Sequence, residues 1–151
     1  MNNYISEQTK QFKDKIIIVT GSTQGSGAET AKLLASRGAK GITICGRNEE
    51  KGNKVKNEIE NLGSECIYVK ADLENLNECR KIVSETDKNF KTVDSFINVA
   101  AFTERGTILS TTEENYDKNF NVNVKAPLFM MQEVIKIMIR DKKKGTIAHI
   151  L

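Results

Sequence analysis

Five short apolar runs, at positions 15–19, 41–45, 66–70, 93–97 and 146–151, punctuate this chain. Each is apolar on successive residues, as strands covered on both faces are. Between them, apolar residues return at helical steps. Val55, Ile59 and Leu62 share one face between the second and third runs. Leu76, Cys79, Ile82 or Val83, and Thr86 do so between the third and fourth, behind a capping pair of Asn75 and Glu78. The last crossover is longer: Thr111-x-x-Glu114 reads as a capping box, and Phe120, Val124, Leu128, Met131, Ile135 and Met138 then follow at steps of three and four. Pro127, the single proline, lies inside that pattern and predicts a break or kink near Ala126. Strand and helix thus alternate throughout. The pattern predicts an α/β domain, a doubly wound parallel sheet of five strands with helices on both faces and right-handed crossovers.

The first strand breaks into Thr20-Gly21-Ser22-Thr23-Gln24-Gly25-Ser26-Gly27 before a helical pattern resumes. A buried strand that turns through three glycines into a helix gathers backbone N–H groups and a positive helix end at one point, where a dinucleotide's pyrophosphate can sit. Gly21 would allow the sharp exit from the strand. Gly25 would allow phosphate to approach bare backbone, and Gly27 the packing of the helix against the sheet. An ordinary glycine-rich turn has the same composition, so the rest of the chain must decide.

Length and charge narrow the field. The chain has 151 residues, enough for a single domain with a core, here behind a polar N-terminal extension at 1–13. The net charge of +3 comes from lysines interleaved with acids, unlike the clustered basic stripe of a nucleic-acid binder. Lys142-Lys143-Lys144 beside Arg140 reads as a solvated helix end. Cys45, Cys66 and Cys79 are odd in number and lack C-x-x-C spacing, which predicts reduced core thiols in a cytoplasmic protein and no disulfide or metal framework. No apolar run approaches the roughly 20 residues that span a bilayer, and no signal peptide is evident. The expected partner is therefore a small molecule, not nucleic acid or membrane.

At the end of the second strand stand Gly46-Arg47-Asn48. A carboxylate there would accept hydrogen bonds from ribose hydroxyls, as NAD sites require. A small residue followed by a guanidinium instead leaves room for a 2′-phosphate and supplies a bidentate partner for it, which predicts NADP in preference to NAD. A solvated arginine opening a helix is the plainer alternative.

Four segments in order resemble the N-terminal half of a short-chain dehydrogenase/reductase. That family carries T-G-x-x-x-G-x-G after its first strand, matched by Thr20 to Gly27, with Ser26 at a position usually branched and apolar. It carries an acid after the third strand that contacts adenine, matched by Asp72 in Ala71-Asp72-Leu73. Its N-N-A-G is partly matched by Asn98-Val99-Ala100-Ala101, and its V-N-(V/L) by Val122-Asn123-Val124. The resemblance implies a Rossmann-type fold and hydride transfer between a nicotinamide and an alcohol or carbonyl substrate. It further implies that Gly21, Ser22, Thr23, Gln24, Gly25, Ser26, Gly27, Arg47, Asn48, Asp72, Leu73, Asn98 and Ala100 bind the cofactor, and that Asn123 positions a water in a proton relay. NADP-preferring relatives often carry a basic residue at the position of Gln24. Taken alone, Asp72 is equally a turn or cap acid, Asn98 a structural residue, and Asn123 a satisfied core amide.

The family's acid–base residues, a Ser after the fifth strand and a Tyr-x-x-x-Lys, are not matched. Tyr4, Tyr68 and Tyr116 are followed four residues on by Gln8, Asp72 and Phe120. His149, the one histidine, reads as a buried or edge residue of the last strand. Two expectations follow: a piece of an oxidoreductase, truncated after the fifth strand and inactive by itself, or a free-standing dinucleotide-binding module completed by a partner. A methyltransferase with a similar loop would leave the N-V-A-A and V-N-V segments unexplained. The apolar stretch at 128–139, a helix that relatives use between subunits, also suggests a homo-oligomer, with plain core as the alternative.

Overall fold

The computed structural model describes residues 10–150, so residues 1–9 of the polar extension and Leu151 of the last strand lie outside the described residues. Five parallel strands, β1 (Ile16–Thr20), β2 (Gly41–Gly46), β3 (Glu65–Lys70), β4 (Ser95–Asn98) and β5 (Thr146–His149), lie side by side in the order β3-β2-β1-β4-β5. The chain winds outward from β1 to β3, then returns to place β4 on the other flank of β1. Loops leaving β1 and β4 diverge at this reversal of strand order, which opens a crevice at the carboxyl ends of the strands.

Side-chain alternation along the central strands builds two cores. On one face, Ile17, Val19, Ile42 and Ile44 meet Ala28, Ala31 and Leu34 of helix α1 (Gly25–Ser36) and Val55 and Ile59 of α2 (Glu49–Asn61). On the other, Ile18, Cys45, Val69 and Phe96 meet Cys79, Ile82 and Val83 of α3 (Leu76–Phe90) and Met130 and Val134 of the last helix. Each fully buried aliphatic side chain contributes about 1.5–3 kcal/mol. The doubly wound parallel sheet read from the sequence is therefore present.

Several details differ from the sequence reading. Residues 93–94 lie outside β4, because the Asp94 carboxylate and amide both bond the backbone of Ile16, at 2.9 and 2.8 Å, in place of a ladder partner. Lys15 and Lys143 also lie near this buried acid, at 3.9 and 3.3 Å, so one lysine of the basic run has a structural partner. β5 is not covered on both faces: it is the outermost strand, paired to β4 alone, and Ile147 and His149 are exposed. Leu62 is exposed because α2 ends one residue before it. The final crossover helix is capped by Thr112, whose hydroxyl accepts the Asn115 N–H, while the Thr111 hydroxyl turns back to the Thr107 carbonyl.

That crossover helix has three parts: α4 (Glu113–Phe120), a π-helical turn (Asn121–Lys125) and α5 (Ala126–Arg140). The disturbance expected at Pro127 takes the form of the π turn, in which the Ala126 N–H reaches five residues back to the Asn121 carbonyl. The buried face here is Val122, Ala126, Met130, Val134, Ile137 and Met138. Of the six residues assigned to it from spacing, Phe120, Val124, Leu128 and Ile135 are exposed, Met131 is partly buried, and Met138 alone is buried. The helix carries two apolar stripes offset by two residues, and two residues rotate a helix by about 200°, so the stripes lie on opposite faces and periodicity cannot rank them.

Candidate functional site

A cleft of about 370 Å³ opens at the carboxyl end of the sheet, where β1 and β4 separate. Its floor and near wall come from the loop after β1. Gly21 has a left-handed backbone (φ +63°), and a Cβ there would lie 2.8 Å from Ala100 Cα, so the loop exits β1 by lying against the loop that follows β4. Gly25 is also left-handed (φ +57°), but a Cβ on it would meet nothing within 4 Å, because it faces the open cleft. A Cβ on Gly27 would collide with the Gly21 carbonyl. The third glycine thus packs the helix against its own loop, a closer neighbour than the sheet.

Helix α1 starts here without the usual satisfaction of its first N–H groups. Its N-cap, Gln24, makes no side-chain capping bond, and no acid lies in its first turn. Helices α2, α3 and α4 are capped by Asn48, Asn75 and Thr112, and each has at least one carboxylate in its first turn. The α1 end is left as a positive, open group of donors.

Of the thirteen residues named for cofactor binding, Gly21, Thr23, Gln24, Gly25, Ser26, Arg47, Asp72, Leu73 and Ala100 line the cleft. The others act behind it. Ser22 is buried, donating to the Val19 carbonyl at 2.6 Å and accepting the Cys45 N–H at 3.0 Å, so it staples the loop to β1 and β2. Asn48 caps α2 through the Lys51 N–H at 2.9 Å. Asn98 accepts the Thr20 hydroxyl at 2.7 Å, and Thr20 in turn accepts the Val99 and Ala100 N–H groups at 3.2 Å, which clasps the diverging ends of β1 and β4 together. Asp72 is a turn acid, one oxygen accepting the Glu74 N–H at 3.1 Å, and the residue also lines the cleft. Asn123 sits in the π turn and grips the Phe102 backbone at both ends, accepting its N–H at 2.8 Å and donating to its carbonyl at 2.7 Å.

Electrostatics at the cleft follow from these placements. Arg47 is exposed and forms no ion pair among the described residues. Cys45 lines the floor as a neutral thiol, since burial pushes its pKa up to about 12. Tyr68 is held by donation to the Gly46 carbonyl at 2.7 Å. Gly46 is kept small by Thr23, whose Oγ1 would lie 2.7 Å from a Cβ there. A larger groove of about 470 Å³ between α3 and α5 is a poorer site, because Arg140 and Asp87 in its wall already satisfy each other at 2.7 and 2.8 Å. Among the described residues no cluster of His, Cys, Asp and Glu could hold a metal ion, and no helix is long and apolar enough to cross a membrane.

Residues 15–151 match the family model described as short chain dehydrogenase. The chain belongs to the short-chain dehydrogenase family. An uncharacterized oxidoreductase of Thermotoga maritima is 33% identical over 134 residues, which cover 89% of this chain and 51% of that protein. The galactitol 2-dehydrogenase of Agrobacterium fabrum is 30% identical over 139 residues, covering 92% and 53%. A metagenomic short-chain oxidoreductase solved in complex with NADP superposes with a TM-score of 0.85 at 26% identity, over 91% of this chain and 62% of its own. The chain spans about half the length of the curated relatives it matches.

Three lining residues of this short-chain dehydrogenase cleft stand outside every run and motif read from the sequence: Glu74, Phe102 and Lys118. Lys118 pairs with Glu74 at 3.4 Å and lies 4.6 Å above the Phe102 ring, so it joins the loops after β3 and β4. One signal was available, since Lys118 stands four residues before Val122 and so on the same helix face. Nothing in the sequence announces the pairing of Phe102 with Asn123, which are 21 positions apart.

Proposed function

We propose that this chain forms the dinucleotide-binding half of a carbonyl or alcohol oxidoreductase that prefers NADP to NAD. The observation that carries the reading is the uncapped, acid-free start of α1 beside Gly25, a cradle of N–H donors that a Cβ would narrow and a pyrophosphate would satisfy. Gly21, Thr23, Gly25 and Ser26 would hold the diphosphate, Asp72 and Leu73 the adenine, and Arg47 a 2′-phosphate. The bound nicotinamide supplies or accepts the hydride. Proton transfer to the substrate oxygen needs an acid, and no Tyr-x-x-x-Lys occurs in these 151 residues, so by themselves they are expected to turn over no alcohol or ketone. Asn123 would support the proton path through the segment it immobilises, residue 102.

Titration of nicotinamide fluorescence tests the reading. Wild type is expected to bind NADPH more tightly than NADH, and Arg47→Asp to weaken NADPH by about tenfold or more, leaving NADH nearly unchanged. Absence of saturation with either nucleotide removes the reading, and an unchanged preference removes Arg47 as the selector. The homo-oligomer is part of the same proposal: Tyr116, Phe120, Val124, Leu128, Ile135 and Ile139 are all more than 40% exposed along one helix face, more apolar surface than a lone helix usually leaves in water. Light scattering is expected to give at least twice the protomer mass, and a monomer would remove this part.

A further inference from the structure

We infer that Lys51, steered by Gln24, is a second determinant of cofactor choice, a cation held beside Arg47 to receive the phosphate on the adenosine ribose. The inference rests on the NADP reading above and goes beyond it in naming a residue outside every motif of the sequence.

Lys51 reaches across to the glycine loop. Its Nζ donates to Gln24 Oε1 at 2.7 Å, which brings the first turn of α2 across to the loop that opens α1. Gln24 itself lines the cleft, as does Arg47. The position of Lys51 is not left to chance: the Asn48 side chain accepts its backbone N–H at 2.9 Å, so the turn that follows Arg47 is locked. Three lysines near this surface are neutralised by carboxylates. Lys32 meets Glu29 and Glu58, Lys56 meets Glu60, and Lys118 meets Glu74. Lys51 instead leans on an uncharged amide, which orients the ammonium and leaves its charge intact, with two further N–H donors to offer.

The neighbouring acid is also accounted for. Glu49 pairs with Lys70 at the end of β3, at 3.7 Å, leaving Glu50 as the other acid of this turn. Arg47 in the cleft lining and Lys51 against the lining residue Gln24 are therefore two cations on this side of the cleft, one a planar fork and the other a point charge. A hydroxyl needs neither, whereas a phosphate monoester carries close to two negative charges and is matched by both. The glutamine in the glycine loop then has a reason: it does not bind the phosphate with a charge of its own but delivers one from the next helix.

The test uses 2′,5′-ADP and 5′-AMP as probes, which share the adenosine 5′-monophosphate and differ only in the 2′-phosphate on the ribose, with affinities read by calorimetry. Lys51→Met is expected to weaken 2′,5′-ADP about fivefold, the worth of one exposed ion pair, and to leave 5′-AMP unchanged. Gln24→Lys added to Lys51→Met is expected to restore the loss, because it places a cation on the same spot from the loop. Lys54→Met, one turn on and exposed, is expected to change neither affinity. If Lys51→Met lowers both probes equally, or Lys54→Met lowers 2′,5′-ADP as much, the effect is bulk charge and the inference falls. If Arg47→Asp weakens 2′,5′-ADP while Lys51→Met does not, the inference falls and the NADP reading stands. If wild type binds 2′,5′-ADP no more tightly than 5′-AMP, both fall together.

Discussion

Two helices begin at the same edge of the sheet, α1 after β1 and α2 after β2, and they treat their first turns in opposite ways. In α2 the Asn48 side chain caps the Lys51 N–H, and Glu49 and Glu50 add negative charge to the positive end. In α1 no side chain caps, no acid follows, and the first two residues are Gly25 and Ser26. The same physics of orphan N–H donors operates in both. Where the chain supplies the anion, the helix end is closed and serves stability; where it withholds the anion, the end is left for one from solution. A binding site of this kind is a stability feature omitted.

Substitutions can break this contrast. The largest effect is expected from Gly27→Val, which forces a side chain onto the Gly21 carbonyl and should lower stability by about 3 kcal/mol, seen in thermal or urea unfolding together with loss of dinucleotide binding. An unperturbed melt would mean that the loop has room the structure does not show. Next comes the mirrored pair. Ser26→Asp gives α1 what α2 already has, and is expected to weaken dinucleotide affinity by about 2 kcal/mol while raising stability by a few tenths. Asn48→Ala takes from α2 what α1 lacks, and is expected to cost about 1 kcal/mol of stability with a smaller effect on affinity. Equal signs in both variants, on both measurements, would dissolve the distinction between a closed and an open helix end.

Legibility of the molecule in its sequence follows the range of the interactions. The alternation of strand and helix, the Asn75–Glu78 cap and the break before Pro127 are local, and each is where its residues lead one to look. Residue roles were less legible. Ser22 and Asn98 stand in the motifs that line the cleft, yet their side chains hold strands together, because a buried hydroxyl or amide must bond whatever backbone lies nearest. Lys118 and Phe102 belong to no motif, and they line the cleft because two loops distant in sequence converge there.

The last crossover helix marks the boundary most clearly. Its sequence specified a long helix, a disturbance before Pro127 and more apolar surface than one face can bury, all consequences of side-chain geometry within a few residues. Which of its two apolar stripes turns inward was decided by the sheet, since Ala126, Met130 and Val134 meet the side of the sheet that carries Ile18 and Phe96 while Phe120, Val124 and Leu128 do not. A 3.6-residue period reports that a face is apolar, but only packing against a partner elsewhere in the chain reports which face is the inside. The same division holds at the cleft: glycine spacing alone indicated a turn able to approach a phosphate, and only the tertiary structure brought Gln24 and Arg47 into one lining and set Lys51 against Gln24.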